Sequence, residues 1–165
     1  MIMCNAKDFN IIGNESSKEL NHNRQLFDKI EKIRSLAGKK MGMADVKEKV
    51  LPKVSLLSKS VNNNSIVSRY FTPYSCHETH AVTGTCCVAS SCLIPGTVGF
   101  RLLNKRDNLN FNSEIIKIEH PMGSIECIIV LNSNFKNNLA SKKNLVKSCG
   151  IYRTSRILMK GQVYF

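Results

Sequence analysis

Tryptophan is absent from this chain of 165 residues, and acidic side chains are scarce, with 12 Asp and Glu against 24 Lys and Arg. Nowhere does an apolar run approach bilayer length, which excludes a helical membrane span. Long blocks of like charge are also missing, and basic residues do not alternate with aromatics as they do on a base-stacking surface. A nucleic-acid partner therefore has only the net charge of +12 behind it. That charge suits three readings: a plain solvated surface, steering of a small anion, or nucleic-acid binding. Its scattered placement (Lys29, Lys39, Lys47, Lys136, Lys147) favours the first, and neither a nucleic-acid nor a membrane partner is expected.

Cysteine is not lacking, but its organisation is. Seven cysteines are an odd number without a repeated Cys-x-x-Cys spacing. Met1 to Asn10 has no hydrophobic signal core. A disulfide framework is not expected, and a cytoplasmic, reducing location is. Cys76, His77 and His80 stand together without a second ligand pair, so no zinc finger or other metal site is expected.

What is present suits a globular unit. Hydrophobic content of 42% and charged content of 22% are ordinary, and the length allows one domain with a proper core. An extended apolar patch lies at Asp8 to Ile12. Leu26, Phe27, Ile30, Ile33, Leu36, Ala37 and Met41 recur at helical spacing, with Asn21 or Asn23 as a cap and Gly42 to close the helix. Lys53 to Leu57 and Ile66 to Phe71 read as strands around a polar turn. A helix begins at Ser75 or Thr79, runs through small apolar residues to Leu93, and stops at Pro95-Gly96. Glu114 to Glu119 and Ser124 to Leu131 form a hairpin about His120-Pro121-Met122-Gly123. The stretches 104–113 and 133–143 are polar connections. Leu145 to Thr154 is a strand, Ser155 to Lys160 a bend, and Gln162 to Phe165 a terminal strand.

The chemistry concentrates at the start of the small-residue helix, expected over 76–93 and buried. Free N–H groups and the dipole at such an end favour an anion. Ser75 and Thr79 can donate to a carboxylate, and His77 can add charge or a proton. Cys76, if it faces the dipole, can act as a thiolate base next to a carboxylate. The competing reading makes Ser75 a cap, His77 an interior histidine and Cys76 an inert apolar residue. Thr83-Gly84 allows close backbone packing. Arg153 and Arg156 can clamp a carboxylate or simply face solvent.

His77, Ala81-Val82-Thr83-Gly84, Ile94-Pro95-Gly96-Thr97, His120-Pro121 with Gly123, Arg153-Thr154 with Arg156, Gly161 and Val163-Tyr164 together resemble the C-terminal half of PrpF-like isomerases. Ile33-Arg34, Met41-Gly42 and Pro52-Lys53 resemble that family's segment before its second domain. The resemblance implies an α+β fold of the diaminopimelate-epimerase type, one half being a curved sheet rolled around a central buried helix. It implies residues 1–44 as the end of a missing N-terminal domain plus a crossover helix, whose strand pairs elsewhere, and 45–165 as the C-terminal domain.

The resemblance further implies proton transfer next to a carboxylate of aconitate, methylitaconate or oxalomesaconate type, without cofactor or metal. Cys76 is then the candidate catalytic residue, and Ser75, His77, Thr83 and Arg153 bind substrate. The family's chains are considerably longer, and its principal acid and base, a Cys and a Lys, lie in the N-terminal half. Met122 also stands where the family usually has Ser. The chain is therefore expected to be incomplete alone, completed by an N-terminal half or a second chain, with self-association over uncovered surface. A non-catalytic half-domain that only binds or assembles is the alternative.

Overall fold

The computed structural model describes residues 1–63, 65–103, 113–132, 145–153 and 155–164. Its strands are β1 (Ile2–Asn5), β2 (Val54–Lys59), β3 (Ser65–Thr72), β4 (Ser75–Cys76), β5 (Ser113–His120), β6 (Gly123–Leu131) and β7 (Val146–Ile151). The helices are α1 (Ser17–Asn21), α2 (Arg24–Lys40), α3 (Val82–Ser91) and α4 (Val98–Leu103). All strands join one mixed sheet in the order β1-β2-β3-β5-β6-β7, with β4 paired to β3 off that path. The architecture is α+β.

Two pairs in this sheet are parallel, β1 with β2 and β3 with β5. Parallel neighbours need a crossover, and helices supply both: α1 and α2 in the first, α3 and α4 in the second. The period of two along each strand decides which face each crossover covers. Register pairs Val54 with Phe71 and Leu56 with Arg69, while Ser55 meets Tyr70 and Leu57 meets Ser68. Val54, Leu56 and Phe71 pack with Phe9, Leu20, Leu26 and Ile30 beneath the first crossover. Leu57 and Ile66 pack on the other face with Val88, Ala89, Ile116, Ile118 and Ile129 beneath the second.

Several sequence expectations meet corrections here. The N-terminal strand is Ile2–Asn5, and Ala6–Phe9 is a 3-10 turn. In this chain that strand pairs in parallel with β2, Ile2 and Cys4 sitting opposite Val54 and Leu56. The small-residue helix is Val82–Ser91, shorter than 76–93, because Ser75 and Cys76 pair with Thr72 and Phe71 as strand. It buries Gly84, Thr85, Val88 and Ala89, but leaves Val82, Thr83 and Cys87 exposed. The helix α4 after Pro95-Gly96 had no counterpart in the sequence reading. Residues 155–164 are exposed and carry no regular secondary structure, so the bend and terminal strand do not form there. A short alternating stretch makes no strand without a neighbour to pair with. The polar connections at 104–112 and 133–144, together with Thr154 and Phe165, lie outside the described residues.

The helix α2 matches expectation at both ends. Asn23 accepts the Leu26 N–H at 3.0 Å, and Gly42 follows the C-cap with φ of +73°. Its buried face, however, runs Leu26, Ile30, Arg34, Gly38. A guanidinium thus occupies a core position with only 2% exposure. It survives there because every edge is satisfied: Glu31 accepts both Nε and Nη2 at 2.7 and 2.8 Å. The Val46, Lys47, Lys49 and Leu51 carbonyls accept the rest at 2.5 to 3.3 Å. One side chain therefore latches the segment 46–51 onto α2 and sets where β2 begins.

Truncating one partner of such a buried ionic network typically costs about 3–5 kcal/mol. Arg34→Met is expected to lower stability by about 3 kcal/mol or more in urea unfolding. Arg34→Lys is expected to recover little, since an ammonium cannot fork to both Glu31 and the loop carbonyls.

Candidate functional site

The start of α3 meets the sheet at Tyr70. A Cβ added to Gly84 would fall 2.7 Å from the Tyr70 ring and 3.1 Å from His80, so only glycine lets the first turn sit this close. Behind this contact runs a buried polar relay from strand to helix. Ser55 and Ser68 hydroxyls are 2.6 Å apart, Ser68 lies 3.0 Å from His80 Nε2, and His80 Nδ1 lies 3.1 Å from the Thr85 hydroxyl. Thr85 in turn donates to the Ala81 carbonyl at 3.0 Å. With Thr85's proton so placed, Nδ1 of His80 carries hydrogen and Nε2 accepts from Ser68. Burial pushes the His80 pKa down to about 4, opposed by its bond to Ala81, so the imidazole is neutral near neutral pH.

In front of the contact lies a cavity of about 230 Å³ lined by Met1, Leu51, Lys53, Tyr70, Thr83, Gly84 and Cys87. Ala81, the N-cap, offers no side-chain bond to the first turn of α3. Free N–H groups and the positive end of the helix dipole therefore meet the cavity at Thr83 and Gly84. The Lys53 ammonium adds a full positive charge, standing 5.6 Å from the Tyr70 ring centroid. Polar donors and two sources of positive potential converge on one small space. That arrangement suits a carboxylate.

Of the residues given a catalytic or substrate-binding role from the sequence, only Thr83 lines this cavity. His77 is half-buried behind it, its ring 6.1 Å from that of Tyr70. Its Nδ1 accepts the Thr79 N–H at 3.1 Å, which leaves its hydrogen on Nε2. Ser75 does not cap the helix. Its hydroxyl lies 2.9 Å from that of Thr72 and closes the β3–β4 turn. Cys76 is likewise not at a helix start: it packs in the core under the first crossover, with its N–H donating to Asn21 at 2.7 Å. Burial pushes its thiol up to about 11, against the pull of Arg69, so no helix dipole makes it a thiolate. Arg153 is exposed just beyond β7 and does not reach the cavity.

Lys53, Tyr70 and the Ser68–His80–Thr85 relay escaped the sequence reading. They come from separate strands, and the adjacent Pro52-Lys53 pair was the available signal. The hairpin His120-Pro121-Met122-Gly123 docks nearby through the Met122 N–H, which donates to Glu78 at 3.2 Å. A further cavity of about 370 Å³ lies on that side, lined in part by Arg69, Glu119, His120 and Ser124.

The depressed His80 pKa fixes a pH dependence. The unfolded state binds the imidazole proton near pH 6.5 and the folded state only near 4, so stability is full above about 6.5 and falls as pH drops toward 4. Burial of His120 shifts that group the same way. Urea unfolding at pH 7, 5.5 and 4 is expected to show a loss of up to about 3 kcal/mol from His80, and His80→Gln is expected to flatten the slope.

Comparison with known proteins supplies the family. A family description reading "PrpF protein" matches residues 1–165. The Escherichia coli (strain K12) protein YbhH, named provisionally as an isomerase, is 34% identical over 152 residues, covering 92% of this chain and 40% of its own. The 4-oxalomesaconate tautomerase of Pseudomonas putida is 30% identical over 163 residues, 99% of this chain and 41% of its own. The crystal structure of a methylitaconate-delta-isomerase superposes with a TM-score of 0.73 at 29% identity, over 97% of this chain and 43% of that one. The chain thus spans about two fifths of the length of the curated relatives it matches. On the family match and these similarities, the chain belongs to the PrpF protein family.

Proposed function

We propose that this chain supplies one wall of the carboxylate-binding cleft of a cofactor-independent isomerase, which moves a proton next to a carboxylate of small di- or tricarboxylic acids of the aconitate or methylitaconate type. The observation that carries this reading is the uncapped start of α3 opening with Lys53 onto one cavity. Relatives named as a tautomerase of oxalomesaconate and an isomerase of methylitaconate support the substrate class. In this reading the mixed sheet with α3 against it is one half of a diaminopimelate-epimerase-like pair. The site is cytoplasmic in setting.

Chemically, the wall binds and orients. The N–H groups at Thr83 and Gly84 and the Lys53 ammonium neutralise a carboxylate, which favours loss of the adjacent proton by stabilising the charge that develops. A double-bond shift also needs a base and an acid placed near hydrogen-bond distance of the substrate carbons. At about 230 Å³ the cavity is smaller than the usual enclosed ligand site. The opposite wall, with the principal acid and base, comes from an N-terminal half or a second chain. The second reading is a half-domain that binds or assembles and catalyses nothing.

Proton nuclear magnetic resonance in deuterated water, with trans-aconitate or a methylitaconate, tests both. The chain alone is expected to bind the acid, to lose about tenfold in affinity on Lys53→Ala, and to bring no solvent deuterium into the substrate. A separately expressed N-terminal half is expected to restore exchange. Binding that ignores Lys53 removes the proposed wall. Turnover near an ordinary rate of about 10 per second from the isolated monomer removes the claim of incompleteness. Binding without exchange even in the reconstituted pair selects the assembly module.

A further inference from the structure

Away from that cleft, three thiols from three different elements meet. Cys86 comes from α3, Cys127 from β6 and Cys149 from β7, and their sulfur atoms all lie within 4.8 Å of one another. Register explains the meeting. Cys127 sits opposite Ile151 and Cys149 opposite Ile129, so the two cysteines are diagonal neighbours on the sheet face that α3 covers. Their sulfurs are 3.2 Å apart. The half-buried Cys86 closes the triangle from above, and its carbonyl lies 3.7 Å from the Cys149 sulfur. All three are free thiols.

We propose that Cys86, Cys127 and Cys149 form a binding site for a thiophilic d10 cation of the zinc and cadmium type, reached through the cavity that Cys86 lines. The donor spacing fits. Three sulfurs held at a metal–sulfur distance of about 2.3 Å lie about 4 Å apart, and the observed triangle needs only small side-chain rotations to reach that. The donor set selects the ion. Among the described residues it is sulfur alone, which suits soft cations and offers nothing to magnesium or calcium. Access is present as well, because Cys86 lines an open cavity of about 670 Å³ together with Met3, Cys87, Ile94 and Arg101.

Deprotonating the cluster is the cost that a bound cation must offset. Burial, then the neighbouring Cys149, holds the Cys127 thiol far above its ordinary range, and Cys86 is raised by the same two causes. Adjacent thiolates repel in a poorly solvated place, which favours the protonated form of Cys86 and Cys127 without an ion. A bound divalent cation reverses that balance by neutralising the thiolates, and each sulfur that ligates gives up its proton to solvent. Oxidation state does not change and no redox partner is needed. Sequence spacing hides such a site, because its ligands are far apart along the chain.

The test uses the 165-residue chain, reduced with a phosphine rather than a thiol and titrated anaerobically with Cd2+ in excess Mg2+. One cadmium per chain is expected, with an ultraviolet sulfur-to-metal charge-transfer band, proton release, and a rise in Tm that grows with free cadmium. Cys86→Ser and Cys149→Ser are each expected to weaken binding by more than about tenfold, a loss that even outer-shell partners of a ligand can produce. Cys87→Ser, an exposed neighbour on the same helix, is expected to leave it unchanged. Cys86 is only half-buried, so its variant keeps the test valid if substitutions at the buried Cys127 fail to fold. The proposal is overturned by the lack of a charge-transfer band, by binding that survives the Cys86→Ser, Cys149→Ser double variant, or by equal loss in Cys87→Ser.

Discussion

The contact of Gly84 with the Tyr70 ring is the constraint on which the site depends. A helix start can present bare N–H groups to a ligand only if it is held near the other binding groups without a side chain in between. Here the missing Cβ brings the first turn of α3 down onto an aromatic ring of β3. The same ring lies under the Lys53 ammonium and 4.6 Å from the His80 ring. Close packing therefore ties dipole, cation and relay together. The relay of Ser55, Ser68, His80 and Thr85 then satisfies the polar groups that this approach buries, and a fully paired network of that kind fixes one arrangement.

A second chain of dependence runs from the far side of the sheet. The Arg34 guanidinium holds the carbonyls of 46–51, and Leu51 and Lys53 then enter the cavity wall. A side chain on the solvent-distant face of α2 is thus linked, through backbone carbonyls, to where a positive charge stands on the opposite face. Placement of the ammonium is a property of the loop's anchoring as much as of β2 itself.

Much of the fold was legible because its signals are local. Asn23, the helical recurrence of Leu26, Ile30 and Ile33, and Gly42 define α2 from within its own segment. Alternation in β5 and the short apolar runs of β2, β3 and β6 between turn residues mark strands for the same reason. The misreadings arise where a distant partner decides. Ser75 and Thr79 look like helix caps, yet Cys76 pairs with Phe71 and its N–H is taken by Asn21. Those partners lie in other elements, so the segment stays extended and α3 begins at Val82. Arg34 was missed as a core residue because charge normally signals solvent, whereas its burial rests on carbonyls from a loop. The site followed the same division. Thr83 and Gly84 stand out within their own helix, while the placement of Lys53, Tyr70 and Ser68 beside them requires the register of the sheet.

The sheet separates two apolar clusters, with Leu20, Leu26 and Phe71 on one face and Val88, Ile116 and Ile129 on the other. Among the described residues, the strands β1, β2 and β3 contribute side chains to both. Each face can then open at its own free energy, as cooperative sub-units of a domain do. The amides of α1 and α2 and those of α3 would report two separate exchange classes rather than one global event. A ligand seated at Thr83 and Lys53 would slow exchange first in α3 and the strands beneath it, leaving the helices of the opposite layer to fluctuate as before.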